Sequence, residues 1–274
     1  MATYHIIILL ATGLGAGFAG GLLGLGGAFI MTPVQYIVFT EMGLPIDLAI
    51  KLAFGTSLMV VLPTAISGAW RHHRAGGLQW RSALIMGVCG LVSALAGATL
   101  AARLPGEGLR TAFGVIVLIA SAWMLSARVT GTEAPPVARR RVWVAWALPI
   151  GFIAGVMGIG GGIMLVPVLA LELRFRLHDA IGMSLAVMIF ISVGGFVGYI
   201  INGLGVAGLP EWSVGYVYLP AWLLLAATST VMVQIGALAA GRISARWLKY
   251  IFVVVMLYMG LKMIGVFEWL GWPL

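Results

Sequence analysis

The feature that most constrains this chain is where Asp, Glu, Lys and Arg are missing. Charge-free runs cover residues 1–40, 52–70, 82–102, 111–127, 142–171, 180–210, 212–241 and 250–261. Burying one charged side chain at mid-bilayer costs roughly 2.5–3.5 kcal/mol, and one helical crossing needs ~20 apolar residues. These runs therefore mark the membrane. Only 9% of the 274 residues are charged and 62% are apolar, whereas a soluble domain carries about 25% charged residues. A soluble enzyme, a nucleic-acid-binding domain and a disordered chain are excluded. The net charge of +8 is distributed through the gaps between runs, where basic residues set membrane orientation. The expected partner is thus the lipid bilayer, with no nucleic acid. One cysteine, Cys89, allows neither an internal disulfide nor a multi-cysteine metal site. The first run opens IIILLATG with no basic segment before it, and reads as a retained membrane segment.

Two runs, 1–40 and 142–171, exceed one crossing, and each holds a glycine cluster. The polar stretch 128–141, with Pro135-Pro136 and Arg139 to Arg141, reads as a cytoplasmic linker between a first membrane repeat at 1–127 and a second at 142–274. The halves repeat each other. GLLGLGGAFIMTP from Gly21 matches GVMGIGGGIMLVP from Gly155, and AFGTSL at 53–58 matches AIGMSL at 180–185. Gly68 matches Gly195, Trp80 and Trp212 each open the next block, and GATLAARL at 97–104 matches GALAAGRI at 236–243, pairing Arg103 with Arg242. Duplicated units with broken helices are a recurrent plan of secondary transporters. If each half crosses four times, Lys and Arg divide equally between the two sides. If each glycine cluster instead turns the chain back, twelve of the sixteen fall on one side, as the positive-inside rule expects. The fold class expected is an all-α polytopic membrane protein of two inverted homologous halves. Each half has about four spanning helices plus a glycine-broken or re-entrant element, and both termini lie outside.

These residues resemble the sulfite exporter TauE/SafE family of membrane transporters. The resemblance runs from about Gly13 to Ile264 and rests on GLLGLGGAFIMTP, AFGTSL, SGAWRHHRAG at 67–76, GIGGG and AIGMSL. It implies a multi-pass carrier of the bacterial inner (plasma) membrane that moves small sulfur-containing anions outward, such as sulfite, sulfoacetate or related organosulfonates. The second copy departs from the first at Met183, where Thr56 stands, and has no match to the basic run Arg71 to Arg74.

A helix broken inside a membrane exposes N–H groups and the positive end of its dipole, a natural place for an anion. Gly24, Gly26, Gly27 and Gly158, Gly160, Gly161, Gly162 present such groups without a side chain in the way; the bland alternative is close packing of helices. The hydroxyls of Thr56, Ser57 and Ser184 can donate to sulfonate oxygens, or simply bond to helix carbonyls. Lys51 reads either as a partner of Asp47 four residues earlier or as an attractor for an anion. Gln35 and Gln234 lie within apolar runs and read as pathway residues or helix–helix hydrogen bonders. Arg71, His72, His73 and Arg74 read as a solvated loop or as a vestibule gathering anions. Adjacent histidines lacking a third ligand do not point to a metal, so no metal and no cofactor are expected. Trp70, Trp80, Trp143, Trp146, Trp212 and Trp247 read as an interfacial belt.

The function expected is a secondary transporter exporting a small sulfur-containing anion by alternating access, and not an enzyme. Rival readings are a carrier or channel for a different small solute, and an intramembrane enzyme, which would need a convergent nucleophile and base. A homodimer stays open.

Overall fold

The computed structural model describes residues 1–74, 78–126, 139–239 and 245–269. Among them every regular element is a helix, apart from an isolated bridge between Ser213 and Tyr218. In order these are α1 (Thr3–Leu23), α2 (Ala28–Glu41), α3 (Ile46–Arg74), α4 (Trp80–Arg103), α5 (Gly106–Ser126) and α6 (Arg140–Met157). There follow α7 (Gly162–Pro167) running into a π turn at Val168–Glu172, then α8 (Leu177–Gly203), α9 (Leu219–Ala239), α10 (Ala245–Ile264) and the short α11 (Val266–Trp269). Seven of the described helices are long and apolar enough to span a membrane. The expected linker at 128–141 lies outside the described residues except for Arg139 to Arg141, and so does Arg242.

Each over-long run breaks at its glycines. Gly24, Gly26 and Gly27, with their counterparts Gly158, Gly160 and Gly161, all have φ between +68° and +87°. In that region a β-carbon costs roughly 1–2 kcal/mol per residue. Gly24 closes α1, its N–H donating to Gly20 O, and Gly27 opens α2. Gly158 and Gly161 do the same for α6 and α7. Trp80 opens α4, but Trp212 sits in the loop before α9, 76% exposed. That pairing of landmarks fails because the connection into α9 is longer than the one into α4.

Helices α3 and α8 form the inner pair. Their most apolar windows are 78% and 72% buried, against 33–44% for the other spanning helices. AFGTSL and AIGMSL start 127 residues apart, which sets the correspondence between these helices. Gly68 of α3 packs on Leu185 of α8, and Gly195 of α8 packs on Leu58 of α3. Each contact is thus the copy-exchanged image of the other, and the register requires α3 and α8 to run antiparallel. The outer helices follow the same exchange. Gly17 and Gly21 of α1 lie against Ser229 and Val233 of α9, while Gly151 and Gly155 of α6 lie against Gly90 and Ala94 of α4. Small residues let the backbones approach this closely, the usual basis of helix association in lipid.

Candidate functional site

The two glycine breaks meet at the centre of the bundle. A β-carbon on Gly162 would lie 2.7 Å from the backbone of Leu25, so the segments are in contact. Gly26 faces the methyl group of Met188, and Gly160 faces both that methyl and the side chain of Val61. Val61 and Met188 correspond to each other at the 127-residue spacing, and both are fully buried. Gly24 packs on Ile181 and Gly158 on Phe54, again a corresponding pair. The first hydrogen bonds of α2 run from Ile30 and Met31 to Gly27 O, and those of α7 from Met164 and Leu165 to Gly161 O. The N–H groups at the very start of each helix therefore lie outside the ladder.

The hydroxyls behave unequally around this centre. Ser184 Oγ donates to Gly24 O at 2.7 Å, tying α8 to the first break. Its counterpart Ser57 accepts instead, from Thr32 Oγ1 at 2.8 Å and Gln35 Nε2 at 2.7 Å. The positions matching Thr32 and Gln35 in the second copy are Val166 and Leu169, so only the first copy holds this buried polar trio. Thr56 Oγ1 accepts from the backbone N–H of Tyr218 at 2.9 Å. Thr56 and Ser57 therefore serve different neighbours and do not converge.

Beyond the centre, at the end where α3 finishes and α8 begins, lies a cavity of about 350 Å³ lined by Trp70, Arg71, His72, Arg74, His178, Gln234 and Ala237. The Arg74 guanidinium lies 5.0 Å from the centre of the Trp70 ring, within cation–π range. The His72 and His178 rings are 4.7 Å apart. His72 is 4% exposed, and its Nε2 has no hydrogen-bond partner. Gln234 Nε2 donates to the carbonyl and hydroxyl of Ser67, both at 2.7 Å, joining α9 to α3. The cavity thus has two guanidiniums, two imidazoles and an amide on its walls, with no carboxylate among its lining residues.

Two expected residues lie elsewhere. His73 turns away and accepts from Trp80 Nε1 at 3.0 Å. Lys51, the counterpart of His178, is buried at the opposite end of the inner pair. Its Nζ donates to Asp47 Oδ2 at 2.9 Å, and Asp47 Oδ1 accepts from Gly106 N–H at 2.8 Å.

The position matching His72 is Tyr199. Tyr199 is fully buried, its hydroxyl donates to Val156 O at 3.0 Å, and Phe54 and Tyr216 pack edge-on against it. One end of the inner pair is therefore open and cationic, and the corresponding place at the other end is filled by aromatic rings. Sequence reasoning passed over Tyr199, Val61, Met188 and Thr32. Extending the 127-residue register beyond the matched motif would have found the first three. Among the described residues no three His, Cys, Asp or Glu side chains come together to hold a metal.

The profile of the sulfite exporter TauE/SafE family matches residues 9–263. A probable membrane transporter protein of Haemophilus influenzae is 30% identical, over 96% of this chain and 99% of its own length. One from Methanocaldococcus jannaschii is 27% identical over 94% of both chains. A probable membrane transporter protein of Bacillus subtilis is 27% identical over 72% of this chain and 79% of its own. No solved structure matches.

Proposed function

Since this chain belongs to the sulfite exporter TauE/SafE family of membrane transporters, we propose that it exports small sulfur-containing anions, such as sulfite, sulfoacetate or related organosulfonates, by alternating access. The observation that carries the mechanism is the contrast between His72 and Tyr199. Corresponding positions of two antiparallel inner helices line an open cavity at one end and a filled one at the other. In a pair of inverted repeats, exchanging the conformations of the two halves closes the first end and opens the second.

The chemistry of the cavity favours an anion. Arg71 and Arg74 bring fixed positive charge, and a low-dielectric wall focuses it. His72 Nε2 and the Gln234 side chain add polar groups deeper in. Arg174 and Arg176 precede α8 at this same end, so the positive-inside rule orients the cavity toward the cytoplasm. An anion gathered there would pass to the glycine breaks, whose N–H groups bind negative charge without a fixed cation that would have to be left behind. An enzyme would need a nucleophile with a base beside it. The hydroxyls of Thr56, Ser57 and Ser184 around the centre are instead occupied in hydrogen bonds to neighbouring segments.

The test is a titration of purified protein with sulfite, sulfoacetate, taurine and sulfate, followed by flux of the anions that bind in proteoliposomes. Saturable, exchange-stimulated flux of a sulfite or sulfonate species is the expected result. Binding of none of these anions, or non-saturable conduction, would overturn the proposal.

A further inference from the structure

We propose that Met188 is the size-selecting residue of the pathway: its thioether closes the centre and must swing aside for the anion, whose organic part then has to fit the space it leaves beside Val61. This rests on the transport reading above and deepens it. Gly26 and Gly160 both face the Met188 methyl, one from each glycine break, so this side chain occupies the junction where the two breaks converge. On α8, Gly182 abuts His72 at the wall of the cavity, and Met188 lies six residues further, about 9 Å along the helix axis. The contact of Gly68 with Leu185 lies between, so an anion leaving the cavity would pass Leu185 and then meet Met188 at the breaks.

The two corresponding side chains are unequal movers. Val61 is branched at its β-carbon and has few rotamers. Met188 is unbranched, has three rotatable side-chain bonds and adapts cheaply to new surroundings. Its observed position is held by packing and by one weak contact, the Ser184 hydroxyl 3.7 Å from its sulfur. That same hydroxyl donates to Gly24 O, so displacing Met188 leaves the link between α8 and the first break intact.

The experiment uses the full chain in proteoliposomes, in a Cys89→Ala background. Met188→Ala is expected to raise the ratio of sulfoacetate flux to sulfite flux by about tenfold or more, the discrimination that one or two methylene groups supply in a tight pocket. Met188→Leu, of similar volume, should leave the ratio near that of the parent. In parallel, Met188→Cys is labelled with a charged, membrane-impermeant maleimide, and sulfoacetate is expected to slow the labelling. An unchanged flux ratio in Met188→Ala, or labelling that sulfoacetate does not slow, overturns the assignment. If the Cys89→Ala parent itself moves neither anion, it is the transport reading that falls.

Discussion

His72 and Tyr199 stand at the same position of two antiparallel helices, one beside an open cavity and the other sealed among Phe54, Gly55 and Tyr216. The hydroxyl of Tyr199 holds the sealed end by its hydrogen bond to Val156 O. Tyr199→Phe removes that bond and leaves a buried carbonyl short of a donor. It should lower stability by about 0.6–2 kcal/mol, the range for side-chain hydrogen bonds between membrane helices. Thermal unfolding in detergent measures the loss, and an unaltered midpoint would mean that ring packing alone closes this end.

The arginines of the cavity should act through long-range attraction. Arg71→Ala combined with Arg74→Ala is expected to raise KM for the transported anion about tenfold at low ionic strength, the lower end of electrostatic steering. Most of the difference should vanish near 1 M salt, where the screening length falls to about 3 Å. Initial rates at two salt concentrations decide it. A difference that persists at high salt would point to direct coordination instead.

The two glycine breaks should tolerate change unequally. A β-carbon on Gly27 runs into the carbonyl oxygen of Ala16, which is backbone and cannot rotate away. On Gly161 the nearest atoms are side-chain carbons of Ile150, Ala154 and Ile191, at 3.3–3.4 Å. Both substitutions carry the left-handed penalty of roughly 1–2 kcal/mol. Gly27→Ala should therefore destabilise more than Gly161→Ala, and the order of their melting midpoints checks this.

Ser57 is the shared acceptor of Thr32 and Gln35. Ser57→Ala should cost about 1–3 kcal/mol, because it strands the amide of a fully buried glutamine. Adding Gln35→Leu should recover part of that loss, since no buried amide is then left unsatisfied. A double-mutant cycle on unfolding free energy reads the coupling, and strictly additive losses would contradict it.

Much of the fold was legible in the residues themselves. The missing charges located the spans, and the two over-long runs with φ-permissive glycines announced the breaks between α1 and α2 and between α6 and α7. The match of GTSL with GMSL, identical but for Thr56 and Met183, gave the correspondence of α3 with α8, because those motifs lie in the tightly packed centre where volume is constrained. What stayed hidden depends on which neighbour a side chain meets. Ser57 and Ser184 look equivalent in sequence, yet one accepts from α2 and the other donates to a glycine carbonyl. Lys51 reads either as a partner of Asp47 or as an attractor for an anion, and its spacing alone does not choose; the structure pairs it with Asp47, whose second oxygen accepts from Gly106 N–H. Met188 carries no chemical signature at all, and only the approach of both glycine breaks to its methyl group singles it out.

The exchange of outer helices, α1 against α9 and α6 against α4, bears on how the chain is assembled. Gly17 must wait for Ser229 before its close contact exists, and a ribosome adding about 5–20 residues per second takes roughly 10–40 s to make the intervening chain. Until then the glycine stripe of α1 faces lipid or insertion machinery without its partner. A nascent first half is thus an unfinished object rather than a small version of the whole. Truncation after α5 should yield a substrate for membrane quality control, and supplying the second half as a separate polypeptide should rescue it.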